Sequence, residues 1–456
     1  MNARLISELE HLDVVWQEPS RDSSGSMPLG NGDVGINLWV EPGGDLLFYI
    51  SKTDAWSGNG RLLKLGLVRV SLKPNPFAEG APFVQRLRLL FGDIEIVAGS
   101  PGREVKINAW VDAHHPVIQV HASSATLRTA LTVTLEPWRT ERRNLTGGGA
   151  VGAHGLAGRP EPIVVDPDKI LQGRRNKIVW YHRNTFSIYP KTLRAQGLGK
   201  SVSKHPGPLL NRRFGGVISG SMLRTVDDHT LRSTRPVRHH ETTIHVHGDV
   251  CELEETWEAG LRVSRLGSGR SSSLNRQKRH WAWWRDFWER SWIFADTRDK
   301  EVQPPDGVCP LSRGYALQRF INACRGRGGA PIKFNGNVFT VDTLNATNEN
   351  QRFDADFDWI PDQDHGAVSM NALQRMLLQC EGDSIRILPA WPPEWSVEFK
   401  LRAPRDTTVH VRWRDGILEN LTVTPEARRA DVVLPPFVPR PVPMPQPTVE
   451  MTPQRP

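Results

Sequence analysis

From residue 30 to about residue 255, apolar and polar side chains alternate with period two. Leu46 to Ile50, Gly66 to Leu72, Asp93 to Val97, Val105 to Val111, Val117 to His121 and Leu131 to Leu135 each read as a short strand. Clusters of Gly, Pro and Asn, such as Pro74-Asn75-Pro76, separate them. Many short strands at close spacing predict a large antiparallel β-sandwich. Its core includes Trp110 and Trp180, with Val105, Ile107, Ala109 and Val111 on one face of their strand. The stretch from Asn144 to Pro162, with Gly147-Gly148-Gly149, breaks the rhythm and reads as a loop; strand-like sequence resumes at Lys177 to His182.

Near residue 271 the period becomes helical. Ser271 to Ser273 offers an N-cap, and Trp281, Trp284, Trp288 and Trp292 then recur at three- and four-residue spacing, an aromatic stripe that predicts core packing. A second helix is expected over about Arg313 to Cys324, with Leu317, Phe320 and Ile321. A third is expected over about Ala367 to Cys380, with Met370, Leu373 and Leu377. Cys324 and Cys380 read as buried thiols on those stripes. After residue 384 the pattern is β again, and Arg414-Asp415-Gly416 marks a hairpin turn between Thr407 to Trp413 and Ile417 to Val423. The tail from Pro435 is Pro-rich and reads as extended.

Composition narrows the possibilities. The 456 residues carry 58 basic and 50 acidic side chains, a net charge of +8. That surplus is dispersed, with only short clusters such as Arg174-Arg175 and Arg212-Arg213, so no nucleic-acid partner is expected. No apolar run is long enough for a membrane span, and Met1 to Glu10 lack a recognisable secretory signal. Four cysteines without CxxC spacing indicate neither a zinc site nor a disulfide framework. The 16 Trp against 4 Tyr fit either sugar stacking or large cores.

Three motifs invite chemistry. Gly30 to Gly35 matches G-x-G-x-x-G, but Ile36 to Val40 is strand-like where a dinucleotide site needs a helix N-terminus, and no cofactor is expected. Asp354, Asp356 and Asp358 imitate a calcium loop, yet Trp359 and His365 stand where Gly and Glu are required, so a calcium loop is rejected; another oxygen-ligand metal site is the lesser alternative and no metal is assigned. Asp362-Gln-Asp364-His365-Gly366 is the densest polar cluster. Its carboxylates could split their pKa values as acid and base; spacing alone favours Asp364 or His365 as a helix cap.

Met27-Pro-Leu-Gly-Asn-Gly-Asp-Val-Gly35, followed by Asp54-Ala-Trp-Ser-Gly58, resembles the N-terminal sandwich of glycoside hydrolase family 95, the α-L-fucosidases and relatives in the six-hairpin glycosidase superfamily. Ile178 to Asn184, Trp288 to Trp292, Ala330 to Gly336, Pro361 to Gly366 and Leu388 to Trp395 look like an uncharacterised bacterial branch of that family. The resemblance implies a mixed β and α fold: a large antiparallel β-sandwich (residues 1–265), a helical linker with a partial (α/α)6-barrel remnant (266–383), a small C-terminal β-domain (384–434) and the Pro-rich tail (435–456). About 90 residues separate the linker helix from the C-terminal strands, whereas twelve barrel helices need at least ~200. The barrel is therefore expected to be incomplete.

Family members invert with a glutamic acid as general acid and an aspartate base, helped by asparagines. No residue here matches the acid. The resemblance makes Asn335 the candidate water- or sugar-positioning amide, places Asp362, Asp364 and His365 at the same cavity, and gives Asp54 and Trp56, on a sandwich loop, a substrate-binding role, with plain core packing the favoured reading of Trp56 by itself. It implies a carbohydrate substrate, no cofactor, and a periplasmic or extracellular setting. A non-catalytic carbohydrate-binding or vestigial protein is the alternative.

Overall fold

A computed structural model describes residues 3–137, 139–145, 163–269, 272–296, 307–330, 337–339 and 364–435. The described chain forms two compact units, Met1–Glu289 with Arg313–Met370, and Arg290–Ser312 with Asn371–Pro456.

The first unit holds strands β1 (Val14–Trp16), β2 (Met27–Gly30), β3 (Val34–Val40), β4 (Leu46–Trp56), β5 (Leu62–Lys73) and β6 (Phe83–Arg88). Next come β7 (Asp93–Ala98), β8 (Val105–Val111), β9 (Val117–Ser123), β10 (Ala130–Glu136), β11 (Arg143–Leu145) and β12 (Ile163–Val165). The run ends with β13 (Lys169–Ile170), β14 (Ile178–Arg183), β15 (Arg212–Gly220), β16 (Leu223–Asp227), β17 (Thr230–Ser233) and β18 (His239–Val250). Nine of these make one antiparallel sheet, in the order β1-β6-β7-β8-β9-β18-β15-β14-β13. Seven make another, β16-β17-β10-β5-β4-β3-β2.

The two sheets form the expected sandwich. Trp110 and Trp180 are buried, and the Trp180 indole on one sheet donates to the Leu65 carbonyl on the other at 2.8 Å. Val105, Ile107, Ala109 and Val111 share a buried face. Unlike a sheet with one wet face, β3 and β4 are buried on both. A 3-10 turn at Asn337–Phe339 covers part of the second face: its carbonyls accept from Asn37 Nδ2 (at Phe339) and Lys64 Nζ (at Val338).

Helices in chain order are α1 (Ala3–His11), α2 (Tyr189–Ala195), α3 (Glu254–Gly269), α4 (Ser273–Arg290), α5 (Pro310–Arg325) and α6 (Asp364–Leu377). Ser272 caps α4 by accepting from the Asn275 N–H. The tryptophan stripe of α4 meets the nine-stranded sheet and α5. Trp284 is fully buried and stacks on Phe320, the Trp288 indole donates to the Leu89 carbonyl, and the Trp281 indole donates to Asp93. Trp292 departs from the expected stripe. The helix ends at Arg290, and Trp292 opens strand β19 (Trp292–Asp296), packing against Phe294 and His410 in the second unit.

That second unit contains β20 (Leu378–Glu381), β21 (Ser384–Ile387), β22 (Ser396–Ala403), β23 (Thr407–Arg414), β24 (Ile417–Thr424) and β25 (Val432–Val433). The sheet order is β19-β22-β23-β24, with a separate β20-β21-β25. The Asp415-Gly416 hairpin forms as expected, pairing Arg414 with Ile417. Cys380 does not: α6 stops at Leu377, and β20 pairs Cys380 with Ile385 on an exposed strand rather than burying it on a helix. Cys324 is buried, and its thiol pKa is pushed up to about 12 by desolvation.

Candidate functional site

At one end of the sandwich, turns from both sheets are tied together by side chains. Asn31, between β2 and β3, donates through Nδ2 to the carbonyls of Asp112 and His115, each at 2.8 Å. Its Oδ1 accepts from the N–H groups of Asp33 and Val34. Asp112 in turn holds its own turn, accepting from the His114 and His115 N–H groups. One buried amide thus satisfies four backbone groups. Gly32 is left-handed, with φ +89°, and its N–H donates to the Cys324 carbonyl at the end of α5, one of the carbonyls that a helix C-terminus leaves unpaired. A Cβ on Gly32 would overlap the Arg327 backbone.

Next to this turn, β4 is irregular. Its pairing with β5 runs to Ser51 opposite Lys64 and resumes only at Trp56 opposite Leu62, a bulge that re-aims Lys52 to Ala55. Lys52, nearly buried, places Nζ 3.0 Å from Asp33 Oδ1 and 2.9 Å from Asp54 Oδ1. Thr53 Oγ1 donates to the same Asp33 oxygen at 2.7 Å. Arg212, at the start of β15, donates to the Asp54 carbonyl and lies 3.7 Å from its carboxylate. On β18, Gly248 leaves room for the Asp54 carboxylate, which a Cβ would meet at 2.5 Å. His247 is held below the usual imidazole pKa by burial, with Lys52 adding to the effect and Asp249 and Asp54 opposing it. The Asp33 side chain keeps 32% of its surface exposed and Asp54 keeps 18%.

This chemistry binds better than it cleaves. Both carboxylates lie within 3.0 Å of a single ammonium nitrogen, so their facing oxygens are closer than the ~6.5–9.5 Å an inverting pair needs to admit water. What remains is a fixed array of acceptors and donors: Asp33, Asp54, Lys52 and Arg212. That array suits polyhydroxylated ligands.

Asp54 and Trp56 sit at the end of strand β4, not on a loop, because β4 extends to Trp56. The Trp56 indole donates to the Thr53 carbonyl, and its own carbonyl accepts from Asn184. Asp364 is the first residue of α6 and His365 the second, exposed. Asn335 and Asp362 lie outside the described residues, as does the side chain of Asp364. The described structure therefore gathers Asp54 and Trp56 with the Gly30 to Gly35 turn. Sequence reasoning passed over Asp33, Lys52, Arg212 and His247. Asp33 stood inside the quoted motif, and Lys52 shares a strand face with Asp54; Arg212, far away in sequence, left no local signal. Among the described residues, no group of three or more His, Cys, Asp or Glu side chains is arranged to hold a metal ion. No described helix is long and apolar enough to cross a membrane, which says nothing of a β-barrel.

A family described as a domain of unknown function (DUF5703), in its N-terminal part, matches residues 15–293. No curated protein sequence matches the chain. A solved structure of a human-microbiome protein provisionally assigned as a kojibiose phosphorylase is 11% identical, with a TM-score of 0.42, over 72% of this chain. The chain spans 44% of the length of that structure. A likeness so distant says nothing of activity.

Proposed function

The chain belongs to the DUF5703 family, and from that premise we propose that it is a glycoside-active protein whose sandwich end binds a sugar. In this reading Asp33 and Asp54 accept from sugar hydroxyls, Lys52 and Arg212 fix the two carboxylates, and Trp56 offers an indole edge at the rim. One observation carries it. The two segments most like family 95, Met27 to Gly35 and Asp54 to Gly58, lie on neighbouring strands, with Val34 opposite Lys52, and their carboxylates Asp33 and Asp54 meet at one lysine-bridged cluster.

The finer parts of the reading follow the resemblance. The plan is six-hairpin, with a sandwich over 1–265, a linker and shortened barrel over 266–383 and a β-domain over 384–434. Asn335 positions water or sugar, and Asp362, Asp364 and His365 border the same cavity. Inverting hydrolysis of terminal glycosidic bonds is the family-level activity, impaired here for want of a matched general acid. The close spacing of Asp33 and Asp54 on one ammonium favours binding without turnover at this cluster, so the carbohydrate-binding alternative is the stronger form.

Calorimetric titration with L-fucose, D-galactose and D-glucose, beside aryl fucosides and galactosides as substrates, tests the proposal. Binding by at least one sugar, lost in Asp33→Asn and Lys52→Met, with little or no aryl release, is the expected result. Rapid turnover unaffected by either substitution would contradict it.

A further inference from the structure

A second charged surface lies on the first unit, where α3 meets the turn between β13 and β14. Glu258, Arg262 and Arg265 occupy positions i, i+4 and i+7 of α3 and so share one stripe. Arg174, in the turn, forms a hydrogen-bonded ion pair with Glu258, which fixes the turn against that stripe. The turn is rigid for further reasons. The Asn176 N–H, at φ 61°, donates to Thr225 Oγ1; that hydroxyl donates to the Arg174 carbonyl; and the Gly173 N–H donates to Asp228.

Lys177 follows at the foot of β14, half-buried, within electrostatic reach of Arg265, Arg174 and Arg262. Burial first, and then those three cations against the opposing pull of Glu258, hold its ammonium pKa below the usual value; burial does the same to Arg265. Among the described residues, the side chains of Lys177, Arg262 and Arg265 have no carboxylate or other hydrogen-bond partner. Of the neighbouring carboxylates, Glu258 is held by Arg174 and Asp228 accepts from the Gly173 N–H. Like charges held together on a rigid frame raise the free energy of the empty surface, and a bound oxyanion removes that repulsion while making charge-assisted hydrogen bonds.

We propose that Lys177, Arg262 and Arg265, framed by the Arg174–Glu258 pair, form an exosite for the carboxylate or sulfate groups of an acidic polysaccharide. The choice of a polysaccharide rests on the glycan reading above; the oxyanion chemistry rests on the cluster itself. A nucleic-acid track would continue along the surface with aromatic faces for stacking. Here the stripe is flanked by Val263 and Leu266, 70% and 66% exposed, and by Glu255. Those apolar neighbours make an anionic lipid surface the rival occupant.

Binding of the full chain to polygalacturonate, chondroitin sulfate, dextran, duplex DNA and phosphatidylserine vesicles, measured at about 50 mM and 300 mM salt, tests the exosite. Both acidic polysaccharides should bind at low salt and weaken at high salt, and dextran should not bind through this surface. Lys177→Ser/Arg262→Ser/Arg265→Ser should lose ~10-fold or more in affinity, with the exposed single Arg262→Ser retaining the fold and losing ~3-fold. Asp33→Asn should leave the salt-sensitive part of this binding unchanged. Equal binding by the triple variant, or tighter binding of DNA or vesicles than of either acidic polysaccharide, would overturn the exosite. If acidic chains bind here while no neutral sugar binds at Asp33, the exosite stands and the function proposed above falls. The reverse pattern removes the exosite alone.

Discussion

Two aspartates of the same sandwich, Asp93 and Asp33, show the difference between a charge used by the fold and a charge with bonding capacity to spare. Asp93 is fully buried and accepts from Arg88 through two parallel bonds of 2.8 and 2.7 Å, from Asn108 and from the Trp281 indole. Four hydrogen bonds hold it, three of them at Oδ2, and the carboxylate pins α4 to the sheet. Asp33 accepts from Lys52 and Thr53 through one oxygen and keeps a third of its side-chain surface open. Its position is fixed as firmly, through Asn31 and Gly32, but its bonding capacity is not exhausted. Fixed geometry with spare capacity separates a binding group from a structural one.

The largest expected effect lies on the structural side. Asp93→Ala leaves Arg88 with Glu95 alone and takes the buried acceptor from Asn108 and the Trp281 indole, and should destabilise the first unit by about 3–5 kcal/mol in urea unfolding. Asp33→Ala in the same assay should cost under about 1 kcal/mol, as a partly exposed pair does. Equal losses would erase the contrast.

Asp13 sharpens it through pH. Burial raises its pKa to about 7, although the Leu89 N–H and nearby Arg86 oppose the shift. An acid whose folded pKa exceeds its unfolded one binds the proton more tightly when folded. Its favourable share is therefore complete below about pH 4 and is lost as pH rises through about 7. Asp13→Asn should flatten the stability profile across that window, by at most about 1.4 kcal/mol per pH unit. An unchanged slope would show that Asp13 does not titrate there. Gly32→Ala is smaller: strain at positive φ and overlap with Arg327 should lower stability by about 1–3 kcal/mol and weaken sugar binding together.

The sequence made most elements legible, because alternation in β7 to β10 and the Trp284/Trp288 spacing in α4 report burial directly. It hid α3, whose buried apolar contacts are only Trp257 and Leu261 and whose Gly260, Gly267 and Gly269 dilute any helical signal. Trp292 and Cys380 fitted a helical period that ends two residues before Trp292 and three before Cys380, since periodicity does not mark where a chain leaves a helix. At the candidate site, Asp54 and Trp56 were visible as a motif. The Lys52 bridge depends on a bulge, and Arg212 and His247 arrive from the other sheet, so only the fold brings them in.

The most direct measurement is a titration of the wild-type chain and of Asp33→Asn with L-fucose, D-galactose and D-glucose, followed by amide chemical shifts. A sugar that moves Asn31 to Val34 and Lys52 to Trp56 in the wild type, and loses at least about tenfold in affinity in a normally folded Asp33→Asn, is the predicted result. A sugar that binds equally to both, or shifts only residues remote from these turns, would contradict a binding site at the sandwich end.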